Sequence, residues 1–179
     1  MAVQMPPPKG PIAQRKEQLE QRLVTLRGVK TTTKGWGKLA AHADPLYHQI
    51  GALCWQPTPV GPQVLLVSAT SGRWIIPKGW ALPGKSPIDA ALAEAWEEAG
   101  VKKAKAQPRS IGHYMGTKRT LGGDEVLGAV QVYALRVRKL LDDYPEADRR
   151  QRQWFSAAEA AALVDEDGLR DLLIAFAAT

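Results

Sequence analysis

Cysteine is nearly missing from this 179-residue chain: Cys54 is the only one, which excludes an intrachain disulfide framework and a cysteine-based zinc site. A lone thiol within the apolar run Ile50–Trp55 reads as a packing residue, and a reducing compartment is expected. Long apolar stretches are also lacking. No segment approaches the roughly 20 consecutive apolar residues needed to cross a bilayer, and the N-terminus has no apolar block of the kind that opens a secretory signal. A soluble, cytoplasmic protein with no membrane partner is therefore expected. No internal repeat is apparent, which argues against a repeat architecture. The formal charge of +6 is unevenly placed. Residues 1–45 carry eight Lys/Arg against three Asp/Glu, whereas residues 46–179 carry sixteen against fifteen. The basic character belongs to the N-terminal tail.

A chain of 179 residues can bury one substantial core and is too short for two ordinary domains. The expected organisation is a basic extension over residues 1–45 and one domain over 46–179. Met1–Gly10 is proline-rich. Within Ile12–Val29, Leu19, Leu23 and Leu26 recur at helical spacing among Arg15, Lys16, Arg22 and Arg27, the pattern of a short basic amphipathic helix. Such a helix ordinarily docks on its own domain; an anionic partner or a targeting role are the sharper alternatives. Strand-like runs follow at Tyr47–Trp55 and Gln63–Ser68 around a proline-rich turn, then a short apolar piece at Trp74–Ile76. Ser110–Thr120 and Val126–Lys139 read as two antiparallel strands. Gln151–Phe155 reads as a further short strand, and Ala157–Val164 and Gly168–Ala178 as closing helices. Mixed strands with helices on both faces give an α/β/α sandwich.

The chemistry is concentrated between Pro77 and Val101. A helix is expected over Pro87–Ala99, with Ser86 as N-cap, Pro87 at the first helical position and Gly100 as the C-terminal cap. On it Glu94, Glu97 and Glu98 stand at i, i+3 and i+4, so their side chains are neighbours on one face. Like charges so placed destabilise a helix unless something positive lies among them. A solvated acidic face is the ordinary reading of such a triple. Here, however, a glycine-rich Pro77-Lys-Gly79 turn precedes it, and a hard divalent cation completed by a phosphate chain suits the set. With Ile88, Ala91, Leu92, Ala95 and Ala99 forming the buried side, the glutamates are expected to face outward into a cleft.

The segment from Gly79 to Val101 resembles the Nudix signature G-x5-E-x7-R-E-U-x-E-E-x-G-U, where U is aliphatic. Gly79, Glu94, Glu97, Glu98, Gly100 and Val101 fall where that pattern wants them, while Lys85 stands at its first Glu and Ala93 at its Arg. Ala95 occupies the aliphatic site. The flanks Trp74–Gly79 and Glu97–Val101 are most similar to the branch that contains diphosphoinositol polyphosphate and dinucleoside polyphosphate hydrolases.

The resemblance implies the same sandwich with a mixed sheet, and a Mg²⁺- or Mn²⁺-dependent hydrolase that cleaves a diphosphate linkage in a polyphosphorylated small molecule. Glu94, Glu98 and the Gly79 carbonyl would hold the metal, and Glu97 would act as general base. In the family the Arg braces the glutamates, so Ala93 leaves that brace to another cation or to none. Arg73, Lys78, Lys118 and Arg119 are the cations expected to meet substrate phosphates, with His113 and Lys85 as further possibilities. Asp124 and Glu125 could supply another acid, although an ordinary hairpin turn is preferred there. Trp80, read as lying in a loop, is the aromatic to test against a substrate ring. The alternatives are RNA 5′-pyrophosphate removal, with the basic extension tracking the backbone, and a catalytically decayed nucleotide-binding module. Whether two subunits pair as a homodimer stays open.

Overall fold

The computed structural model describes residues 48–81, 84–119 and 125–178; for 48, 117–119 and 125–127 only the backbone is described. The expected amphipathic helix over Ile12–Val29, as well as Trp36 and Asp124, lie outside these residues. Among the described residues eight strands and three helices follow one another: β1 (His48–Thr58), β2 (Gly61–Ser68), β3 (Trp74–Ile75), β4 (Lys78–Trp80), α1 (Pro87–Ala99), β5 (Val101–Ala106), β6 (Gly112–Arg119), β7 (Glu125–Leu140), β8 (Arg152–Ser156), α2 (Ala157–Leu163) and α3 (Asp167–Ala177). The strands form one mixed sheet of order β3-β2-β1-β7-β5, with β4 paired to β1, β6 to β7 and β8 to β2. β1 and β7 run parallel at the centre, and the remaining pairings are antiparallel.

Strand alternation explains why both faces must be covered. On β1, β2 and β7 the residues Ile50, Ala52, Cys54, Leu65, Val67, Tyr133 and Leu135 pack with Ala90, Ala91, Ala95 and Ala99 of α1. The intervening Leu53, Val64, Leu66, Val130, Val132 and Ala134 pack on the other side with Ala160, Ala161, Leu169, Leu173 and Phe176 of α2 and α3. Central strands that are apolar on both faces need a helical layer on each, which is the expected sandwich. The alanine-rich face of α1 lets the helix lie close to the sheet, and that closeness carries its carboxylates down to strand level.

β7 spans 16 residues and serves two partners in turn. Its first half pairs with β6 and its second half with β5. β1 is shared in the same way between β4 at Gln49–Gly51 and β2 at Trp55–Thr58. The sheet therefore splits near Gly51. Gly79 of β4 sits opposite Ile50 in the mouth of the split.

Candidate active site

The helix that carries the carboxylates is fixed at both ends by short-range chemistry. At its start the Ser86 hydroxyl accepts from the Asp89 N–H at 3.1 Å, while the Asp89 carboxylate accepts from the Ser86 N–H at 3.4 Å, closing a capping box. At its end Gly100 adopts φ 69°, ψ 22°, and its N–H donates to the carbonyls of Ala95 and Trp96. Any side chain there would strike the Leu141 carbonyl and the Arg152 guanidinium, so the left-handed cap and the crowding both require glycine.

Glu94, Glu97 and Glu98 are 0%, 8% and 4% exposed, which corrects the expectation that they face outward into a cleft. The small face of α1 is the reason: a helix resting on alanines sinks until its flanking side chains are covered as well. Glu94 is turned toward β4. A Cβ placed on Gly79 would overlap its carboxylate, so the signature glycine is required here by the close approach of backbone and acid. Glu98 is held from two sides. Its Oε2 accepts from the Lys78 main-chain N–H at 3.1 Å, and its Oε1 accepts from Arg150 Nη2 at 2.6 Å. The Glu97 main-chain carbonyl accepts from the Glu146 N–H at 3.1 Å. Among the described residues no three acidic, histidine or cysteine side chains are already gathered to metal-ligand distance.

Arg150 was not singled out from the sequence. It leads from the segment 141–151 into β8, and its three nitrogens reach three places: Glu98, the Glu146 carboxylate at 2.5 Å and the Ser68 carbonyl at 2.9 Å. Burial works against its charge, but Glu98 and Glu146 outweigh that and hold its pKa above the ordinary arginine value. Arg152, two residues on, donates to the Ala99 carbonyl at 2.6 Å and to Asp142 at 2.6 Å. Both arginines therefore lie at the C-terminal end of α1, whose last turn has no basic residue of its own. Acids at that end oppose the helix dipole, and tertiary cations offset them. Charge balance was the available signal. Three acids gathered in the second half of one helix need a positive neighbour, and Arg149-Arg150-Gln151-Arg152 is the densest arginine run in residues 46–179.

The expected phosphate-binding cations separate. Lys78 stands directly beside the carboxylates, half-buried, with Nζ donating to Gln49 at 3.4 Å. Arg73 makes ion pairs with Asp165 at 3.8 Å and Glu166 at 3.9 Å. Lys118 and Arg119 fall on β6 opposite Val126 and Glu125; their side chains lie outside the described set. His113 is exposed on β6, and Lys85 is exposed ahead of the helix. Trp80 is not in a loop. It belongs to β4, pairs with Gln49 and is 2% exposed, because the Lys78–Trp80 stretch joins the sheet beside β1, so Trp80 is a packing residue. A cleft of about 510 Å³ lined by Trp96, Lys102, Lys105 and Arg138 lies along α1 and β5; none of the three glutamates lines it.

The chain is 35% identical over 115 residues to Nudix hydrolase 4 of Arabidopsis thaliana, an alignment that covers 64% of this chain and 53% of that protein. It is 34% identical over 102 residues to diphosphoinositol polyphosphate phosphohydrolase 3-alpha of Homo sapiens, covering 55% of this chain and 57% of that one. The chain thus spans about half the length of the curated relatives it matches. Among solved structures it superposes on a C. elegans Ap4A hydrolase with a TM-score of 0.56 at 21% identity, covering 74% of this chain and 96% of that one. The E. coli dihydroneopterin triphosphate pyrophosphohydrolase gives 0.55 at 16% identity, covering 75% and 96%. These two likenesses bear on the fold. Residues 48–176 match the model of the NUDIX domain, and with the glycine, the acidic triple and the sandwich now in place, the chain belongs to the Nudix family.

Proposed function

We propose that this chain is a divalent-metal-dependent hydrolase that cleaves a diphosphate linkage in a polyphosphorylated small molecule, with dinucleoside polyphosphates and diphosphoinositol polyphosphates as the leading substrate classes. One observation carries the reading: three buried glutamates within one turn of α1, one of them pressed against the signature glycine of β4. Crowded buried carboxylates are costly without positive charge between them. The all-oxygen donor set fits Mg²⁺ or Mn²⁺, with Glu94, Glu98 and the Gly79 carbonyl as the groups that would hold it. When bound, such an ion supplies charge neutralisation on the phosphate oxygens.

The remaining roles belong to the chain. Glu97 would accept the proton of the attacking water at its carboxylate. The water oxygen forms a bond to phosphorus, the P–O–P bond breaks, and the bridging oxygen leaves with the second phosphoryl group. Lys78 would face the substrate phosphates from beside Glu98, with Lys118, Arg119 and Arg73 as further cations. The similarity to a protein named as a diphosphoinositol polyphosphate phosphohydrolase supports this substrate class.

The test is phosphate release from a panel of dinucleoside polyphosphates, diphosphoinositol polyphosphates and 5′-triphosphorylated RNA, with and without Mg²⁺. Glu98→Gln serves as the control and should lose on the order of a hundredfold in rate. Absence of Mg²⁺-dependent turnover on every substrate would leave a nucleotide-binding module as the better reading.

A further inference from the structure

We infer that Arg150 is the positioning residue of this site: it supplies, from the segment ahead of β8, the brace that the family signature places on the helix at the position occupied here by Ala93. The inference rests on the hydrolase reading above and deepens it. A guanidinium suits the task because its planar fork can serve several acceptors at fixed angles. Arg150 uses all three of its nitrogens, on Glu98 of α1, on Glu146 of its own segment and on the Ser68 carbonyl at the end of β2. Those acceptors belong to three separate parts of the fold. A single side chain thus ties the end of β2 to the acidic turn of α1.

The same segment holds α1 a second time through the Glu146 N–H on the Glu97 carbonyl, so the backbone of the turn that carries Glu97 and Glu98 is fixed along with the Glu98 side chain. With Lys78 N–H on Oε2 and Arg150 on Oε1, both oxygens of Glu98 are held in orientation. Lysine could not take this place, because an ammonium on a flexible stem cannot reach the three acceptors at fixed angles.

The sign of one measurement tests the assignment. Mn²⁺ affinity of the full chain, read by electron paramagnetic resonance without substrate, is compared for wild type, Arg150→Ala, Arg150→Lys and Arg152→Ala. If Arg150 only repelled a nearby cation, its removal would tighten Mn²⁺ binding. As a positioning residue, its loss should weaken binding by about tenfold or more, as removal of partners behind metal ligands does. Arg150→Lys should recover little of that loss. Arg152→Ala removes a cap from the same helix end without touching a glutamate side chain, so it should destabilise the fold yet keep Mn²⁺ affinity within roughly threefold. In turnover, kcat of Arg150→Ala should fall by roughly tenfold to a hundredfold with KM changed far less. Unchanged or tighter Mn²⁺ binding in Arg150→Ala overturns the inference, as does an equal loss in Arg152→Ala. If Arg150→Ala does not fold, full affinity in Arg150→Lys overturns it. If wild type binds no Mn²⁺, the hydrolase reading fails first and takes this inference with it.

Discussion

Gly79 and Glu94 meet so closely that one added methyl group tests the site. Gly79→Ala puts a Cβ into the volume of the Glu94 carboxylate. β4 or α1 must then shift, at a cost of about 1–3 kcal/mol in stability. The proposed hydrolysis should drop by more than that loss of folded protein accounts for, which thermal melting and turnover measured on the same preparation will separate. Cys54 gives the opposite kind of expectation. It is fully buried, and desolvation pushes its thiol up to about 12. An aromatic disulfide reagent at pH 8 should label no thiol in the native protein and one after denaturation. At this scale the acidic triple, the glycine and the packing role of Cys54 were legible, because spacing and residue type are local properties. The burial of the glutamates was not, since depth depends on what α1 rests upon.

Elements with their own start and stop signals were legible to within a residue or two. The helix Pro87–Ala99, with Ser86 and Gly100 as its caps, is the expected one, as are β6, β7 and the closing helices, because capping and periodicity are written in consecutive residues. Ser86→Ala should cost about 1 kcal/mol, measurable as a lower urea midpoint at unchanged slope. A second capping box opens α2, where the Ser156 hydroxyl and N–H donate to Glu159 and hold its carboxyl below the ordinary range. A depressed folded pKa stabilises above the unfolded value and is lost as pH falls through the folded one. Glu159→Gln should therefore narrow the stability gap to wild type as the solution is acidified below the ordinary glutamate range, and melting curves from pH 7 to 3 will show it. β4 and β5 were missed for different reasons. Three residues, Lys78–Trp80, have no periodicity to read, and they become a strand only because Gln49–Gly51 lies beside them. Val101–Ala106 carries three lysines, a composition that resists a strand reading yet suits β5, the sheet edge, where lysine discourages pairing with another chain.

At the scale of the fold, one sheet among the described residues divides the core into two layers, and Leu53 belongs to the layer under α2 and α3 while its neighbours Ala52 and Cys54 belong to the layer under α1. Leu53→Ala should cost about 2–5 kcal/mol. Because both layers share β1, β2 and β7, calorimetry should show one transition that moves down in temperature without splitting. Among the described residues no helix is long and apolar enough to cross a membrane. Sequence alone determined the alternation that buries both faces of the sheet, the capped acidic helix and the glycine ahead of it, since each is encoded by residues that are neighbours along the chain. Only the tertiary structure decided how deep the carboxylates lie and which cation holds them. Arg150 is 52 positions from Glu98, and no local pattern links two charges that meet only when β8 pairs with β2.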